Sequence, residues 1–126
     1  MCFMEPSILL IEDDGDLRSS LSALFGAHGV TVHSAEDGEQ GIELFKKHNP
    51  AVVVTDLNMP KINGLDVLSE LIAKKGDVKV FVISGLTNKG LYFEAANVLG
   101  AVKCFNKPTD IKALCSAVLE AMNIEH

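Results

Sequence analysis

The sequence predicts a doubly wound α/β fold, in which helices cover both faces of a five-stranded parallel sheet. Short apolar runs alternate with longer segments whose apolar residues recur at helical spacing, and this alternation is typical of successive βαβ units. Two of the runs are almost wholly apolar, as in strands that are covered on both faces. A length of 126 residues suits one domain, and we expect residues 1–6 to form a loose lead-in.

The first half of the chain is expected to supply two strands and two helices. The first strand is the run at 7–11. Apolar residues then fall on one face of a helix that ends at Gly29: Leu17, Leu21, Leu24 and Phe25. β-Branched residues predict the second strand at 30–34. A second helix at 36–48 contains two glycines that weaken its pattern, and Asn49-Pro50 stops it.

The second half repeats the alternation three times. The third strand is the run at 51–55, and Asp56 ends it. One apolar side predicts the third helix: Leu65, Leu68, Leu71 and Ile72. The fourth strand is expected at 79–84, a short fourth helix at 91–99 and the fifth strand at 102–106. The last helix again has one apolar face: Ile111, Leu114, Cys115, Val118 and Met122.

Polar side chains stand at the carboxyl ends of four of these strands: Glu12, Asp13, Asp56, Ser84 and Lys107. Right-handed crossovers favour the flavodoxin-like strand order 2-1-3-4-5, whose switch point lies between the first and third strands. This order would bring Glu12 and Asp13 beside Asp56. Open α/β sheets bind their ligands at this edge, so the five side chains together predict a functional site.

Each of these residues alone has an ordinary structural explanation. An aspartate at a strand end is often a turn residue, and acids are favoured at the N-terminus of a helix. Ser84 could be a hydrogen-bonded strand-end hydroxyl, and Lys107 a solvated surface lysine. The prediction of a site therefore depends on their occurrence together.

Composition narrows the classes of function. Seventeen acidic residues against eleven Lys and Arg give a net charge of -6, which makes nucleic-acid binding by this domain unexpected and favours cations. No apolar stretch approaches the roughly 20 residues of a membrane span, and no signal peptide is indicated. We expect a cytoplasmic protein without a membrane partner. The three cysteines, Cys2, Cys104 and Cys115, lack CxxC spacing and are expected to be free thiols.

Four short stretches carry a family resemblance: residues 8–14 (ILLIEDD), 56–60 (DLNMP), 84–85 (SG) and 107–108 (KP). In this order and spacing they resemble the receiver domain of response regulators in two-component signalling. The resemblance covers nearly the whole chain, residues 1–126, and implies a single receiver domain. It leaves open whether the protein is a single-domain regulator or the amino-terminal part of a longer chain.

The resemblance and the chemistry of the residues assign the same roles. Three carboxylates close together repel one another, and a bound Mg²⁺ is the simplest compensation because this ion prefers oxygen ligands and bridges carboxylates to phosphoryl groups. We expect Asp13 and Asp56 to be direct ligands and Glu12 to be an outer or water-mediated one. As in the family, the backbone carbonyl of Asn58 is expected to contribute.

The resemblance implies that Asp56 accepts a phosphoryl group from a histidine kinase or phosphotransfer protein. Lys107 would neutralise the transferring oxygens, and Ser84 would bind one of them and act as a switch. The altered surface would then engage an unknown output protein through the fourth helix, fifth strand and fifth helix. No enzyme activity is expected beyond self-phosphorylation and slow autodephosphorylation.

The chain departs from the family at the switch. Receivers usually have an aromatic residue where this chain has Cys104, and strand alternation should point Phe105 to the opposite face. With Gly85 in place of the common alanine, we expect a mobile loop, and readout that depends more on backbone movement at 84–90. Cys104 is nevertheless retained as a switch position.

Two alternatives remain open. The first is a receiver-like interaction domain that accepts no phosphate, which the cysteine at position 104 keeps in consideration. The second is an enzyme or flavin binder on a related fold. A phosphatase with an aspartate nucleophile would have a second Asp at position 58, where this chain has Asn58. A flavodoxin would have a phosphate loop after the first strand, where three acids would repel phosphate.

Overall fold

The computed structural model describes residues 7–56, 64–74, 77–84, 89–106 and 111–123. Within these residues, five strands form one sheet in the order β2-β1-β3-β4-β5, and all neighbours pair in parallel. The strands are β1 (Ser7–Ile11), β2 (Thr31–Ala35), β3 (Val52–Asp56), β4 (Lys79–Ser84) and β5 (Lys103–Asn106). The predicted fold class and strand order are therefore confirmed.

A helix follows each strand: α1 (Gly15–Ala27), α2 (Gly38–His48), α3 (Gly64–Lys74), α4 (Lys89–Leu99) and α5 (Ile111–Ala121). Helices α1 and α5 cover one face of the sheet, and α2, α3 and α4 cover the other. Side chains of a strand point alternately to the two faces, so Ile8 and Leu10 pack towards α1 and α5 while Leu9 and Ile11 pack towards α2 and α3. None of the helices described here combines the length and apolarity needed to cross a membrane.

The observed boundaries differ from the expected ones by a few residues. Strand β2 lies one residue later than predicted, because Val30 belongs to the turn that follows α1 and donates its N–H to the Phe25 carbonyl at 3.2 Å. Helix α2 begins at Gly38 rather than at residue 36, since the Asp37 side chain caps it by accepting the N–H of Gln40 at 2.8 Å.

One contact between β2 and α2 was not visible in the sequence. His33 of β2 and His48 at the end of α2 stack their rings, with centroids 3.7 Å apart and planes 10° from parallel. Burial, and secondarily the charge of His48, lower the pKa of His33 below its usual value. Because β2 is an edge strand of the sheet, the stack joins the end of α2 to the edge of the sheet.

Candidate metal centre

The site is built at the carboxyl ends of β1 and β3. Ile11 pairs with Thr55, so the next residue on each strand, Glu12 and Asp56, stands at the same level. Both side chains are buried, with 0% and 2% of their surface exposed. The predicted juxtaposition of these two acids at the switch point of the sheet is confirmed.

Hydrogen bonds anchor both the backbone and the side chain of Glu12. Its backbone N–H donates to the Ala35 carbonyl at 3.0 Å, which continues the pairing of β1 with β2 by one more bond. Its Oε1 accepts the backbone N–H of Asp14 at 3.0 Å. The buried carboxylate therefore takes part in shaping the turn from β1 to α1.

The last acid of the turn, Asp14, has a structural role. It is the N-cap of α1, and its Oδ1 accepts the N–H groups of Asp16 at 3.0 Å and Leu17 at 3.2 Å. The capping explanation that applies to acids before a helix thus holds for Asp14. Asp13, between the cap and the buried Glu12, is exposed. Its carboxylate is one of the groups that could hold a metal ion.

Three acids offer ligand atoms to one point in space. One carboxylate oxygen from each of Glu12, Asp13 and Asp56 lies within 4.8 Å of the other two. Like charges so close repel strongly where burial lowers the local dielectric. A hard divalent cation such as Mg²⁺ prefers an all-oxygen set of this kind, so the residues present fit the expected ion.

An arginine that no sequence motif indicated also belongs to this turn. Arg18, in the first turns of α1, donates from Nη1 to the backbone carbonyl of Glu12 at 2.7 Å. It is the only arginine in the chain and lies four residues after the N-cap Asp14, one helical turn along. A single arginine one helical turn after an acidic run is the sequence feature that could have indicated this contact.

Ser84 is the last residue of β4 and is fully buried. Its neighbour Ile83 pairs with Asp56, and Ser84 itself pairs with Asn106. The hydroxyl group therefore stands one residue beyond the level of Asp56 on the adjacent strand. Three further residues of the expected site and switch, Asn58, Gly85 and Lys107, fall outside the described residues, and their roles stay predictions.

Position 104, where the family has an aromatic residue, faces the α3–α4 side of the sheet. The Cys104 thiol lies 3.9 Å from both the Phe93 carbonyl and the Asn97 Oδ1 of α4, and burial raises its pKa. Phe105 packs on the opposite side, with α1 and α5. The expected opposite orientation is confirmed, whereas a switch role for Cys104 stays a prediction.

Comparison with known families gives one matching model. The family described as the response regulator receiver domain matches residues 8–119. Among curated relatives, the transcriptional regulatory protein DegU of Brevibacillus brevis is 34% identical over 113 residues, which are 88% of this chain and 48% of DegU. The transcriptional regulatory protein PdtaR of Mycobacterium tuberculosis is 32% identical over 88% of this chain and 54% of its own length. The chain thus spans about half the length of these relatives.

Solved structures show the same architecture. A response regulator receiver domain protein from Clostridium thermocellum superposes with a TM-score of 0.87 and 27% identity, covering 94% of each chain. The N-terminal domain of an uncharacterised Wolinella succinogenes protein superposes with a TM-score of 0.86 and 36% identity, again over 94% of each chain. The similarity thus covers nearly the whole fold.

Proposed function

Since the chain belongs to the response regulator receiver domain family, we propose that it is a phosphoacceptor module of a two-component phosphorelay. Asp56 accepts a phosphoryl group from a histidine kinase or phosphotransfer protein, with Mg²⁺ bound by the neighbouring acids. Phosphorylation then switches a surface that binds an output protein. The observation that carries the proposal is the grouping of three carboxylate oxygens, from Glu12, Asp13 and Asp56, within 4.8 Å.

Burial of these acids is the physical support for a metal. Carboxylates are costly to remove from water, and Glu12 and Asp56 are almost wholly buried. When bound, Mg²⁺ supplies positive charge that offsets both the carboxylates and the transferring phosphoryl oxygens. Asp13 and Asp56 are the proposed direct ligands, with the Asn58 carbonyl, and Glu12 is the outer one.

The chemistry assigned to Asp56 is nucleophilic. One carboxylate oxygen forms a bond to phosphorus as the bond from phosphorus to the donor's imidazole nitrogen breaks. The imidazole leaves with the electron pair and takes a proton from water. The Ser84 hydroxyl then donates to a phosphoryl oxygen, and Lys107 pairs with another. The chain turns over no separate substrate, and water slowly hydrolyses the acyl phosphate.

The proposed output surface lies on α4, β5 and α5. Three large apolar side chains are exposed at the junction of α4 and β5: Val98, Leu99 and Val102. Val98 has 83% of its surface exposed. The three residues are close in sequence, and exposed apolar groups favour a protein contact over solvation when they form a patch. Their exposure supports this face as the place where the output protein binds in the cytoplasm.

Intact mass spectrometry tests the proposal directly. The protein is incubated with acetyl phosphate and Mg²⁺, and we expect the mass of one added phosphoryl group. Asp56→Asn and wild type with chelator should show no addition, whereas Asp77→Asn, which removes an exposed carboxylate, should be phosphorylated normally. Absence of phosphorylation in every sample would favour the phosphate-independent interaction domain instead.

A further inference from the structure

The Arg18 guanidinium makes a short, charge-assisted hydrogen bond to the backbone at the metal centre. Nη1 donates to the Glu12 carbonyl at 2.7 Å, and hydrogen bonds from ionised donors are roughly twice as strong as those between neutral groups. The base of the arginine is fixed as well, because its backbone N–H donates to the Asp14 carbonyl at 2.9 Å. The side chain therefore joins the start of α1 to the end of β1.

The peptide group that accepts this bond lies between two of the three clustered acids. The Glu12 carbonyl belongs to the planar peptide that joins Glu12 to Asp13. Holding its oxygen fixes the rotation of that plane and so the direction in which the Asp13 side chain leaves the backbone. Asp13 is exposed, and packing alone would leave its direction weakly defined.

Two other hydrogen bonds hold this turn but act on different groups. The Glu12 N–H donates to the Ala35 carbonyl, which orients the peptide before Glu12. The Asp14 N–H donates to the Glu12 side chain, which orients the peptide after Asp13. The peptide between Glu12 and Asp13 is the one that Arg18 holds.

We propose that Arg18 is a positioning residue for the metal centre, which sets the direction of Asp13 through the Glu12 carbonyl. The inference rests on the proposed function, because it needs Mg²⁺ to bind at Glu12, Asp13 and Asp56. It adds a residue that acts through the backbone of Glu12 and is not one of the three clustered acids. Mutation of residues that orient metal ligands commonly lowers metal affinity about 10- to 100-fold.

Positioning and simple charge predict effects of opposite sign. As a nearby positive charge, the guanidinium repels Mg²⁺, so its removal by itself would tighten metal binding. As the holder of the Glu12 carbonyl, it preorganises Asp13, so its removal would weaken binding. Mg²⁺ demands near-ideal octahedral geometry, while Ca²⁺ tolerates irregular sites. Loss of positioning should therefore weaken Mg²⁺ more than Ca²⁺, whereas loss of charge affects both ions alike.

The test is calorimetric titration of Mg²⁺ and Ca²⁺ into wild type, Arg18→Met and Arg18→Lys. We expect Mg²⁺ to bind Arg18→Met about tenfold more weakly and Ca²⁺ to lose less. Arg18→Lys keeps the charge and one donor, so it should recover part of the loss. Lys47→Met removes an exposed cation elsewhere and should bind both ions like wild type. Thermal unfolding in chelator checks that each variant is folded.

The outcomes separate this inference from the proposed function. Unchanged or tighter Mg²⁺ binding by Arg18→Met would overturn the positioning role while leaving the metal centre intact. Should Arg18→Met fail to fold, Arg18→Lys decides. We expect this variant to bind Mg²⁺ more weakly than wild type, and binding of both ions equal to wild type would overturn the inference. Absence of Mg²⁺ binding by wild type, or full binding by Asp13→Asn, would overturn the proposed metal centre and the inference with it.

Discussion

Strands β1 and β3 have two regions that are equally buried but chemically opposite. Their middles are wholly apolar and fully buried, from Ile8 to Ile11 and from Val52 to Val54. Just beyond them, Glu12 follows Ile11 directly and Asp56 follows the buried Thr55. Both acids are as deeply buried and carry carboxylates. Apolar burial stabilises a fold, whereas buried charge costs free energy unless it is paired. Burial alone therefore does not distinguish residues that stabilise the fold from residues of the candidate site. The chemistry of the buried side chain makes that distinction.

The largest effect should come from the strand middle. Val54→Ala removes two buried methyl groups and leaves a cavity, so we expect the free energy of unfolding to fall by about 2.5 kcal/mol. Val98→Ala is the matched control, because Val98 is largely exposed and its truncation should change stability by no more than about 0.5 kcal/mol. Urea unfolding measures both. Similar losses for the two variants would contradict the division between buried and exposed valines.

The strand end should respond in the other direction. Asp56→Asn removes one of three mutually repelling carboxylates, so in chelator we expect a variant that is more stable than wild type by about 1 kcal/mol. Added Mg²⁺ should stabilise wild type, since a ligand that binds only the folded state raises its stability, and should act much less on Asp56→Asn. Urea unfolding with and without Mg²⁺ measures both effects. Destabilisation in chelator as large as that of Val54→Ala would remove the contrast between the two regions.

The smallest effect is expected away from both regions, at the stacked histidines of β2 and α2. Because the pKa of His33 is lowered in the folded state, the unfolded chain binds its proton more readily. This contribution to stability is complete above the ordinary value of 6.5 and is lost as the pH falls below it. His33→Gln should therefore lose less stability than wild type between about pH 7.5 and about pH 5.5, by no more than about 0.5 kcal/mol, since the ring is solvent-screened. An identical pH dependence in thermal unfolding would contradict this account of His33.

The fold and the acidic edge were predictable because both depend on local patterns. Apolar periodicity identified each strand and helix, and strand order then brought Glu12, Asp13 and Asp56 together. The Arg18 bond was not predictable in this way, since its acceptor is a backbone carbonyl that no side-chain pattern reveals. The stack of His33 on His48 depends on how α2 returns along β2, which sequence spacing does not show.

Gly41 illustrates a pattern that sequence alone misjudges. A glycine inside a helix weakens the helical pattern, and the second helix was less certain for that reason. In the structure a Cβ atom at Gly41 would lie 2.5 Å from Ile11 Cδ1. The absence of a side chain lets α2 approach β1 just before the acidic turn, so the local loss of helix propensity is offset by close packing of the helix on the sheet.

The central claim is that the phosphoryl group is carried by Asp56, and locating it on the chain tests that claim most directly. After reaction with acetyl phosphate and Mg²⁺, borohydride reduces an acyl phosphate to an alcohol, so the modified aspartate becomes homoserine and is identified by peptide mass spectrometry. We predict homoserine at position 56, whereas the carboxylates of Glu12 and Asp13 should remain unreduced. Reduction at another carboxylate, or a stable phosphoryl group that borohydride leaves in place, would contradict Asp56 as the acceptor.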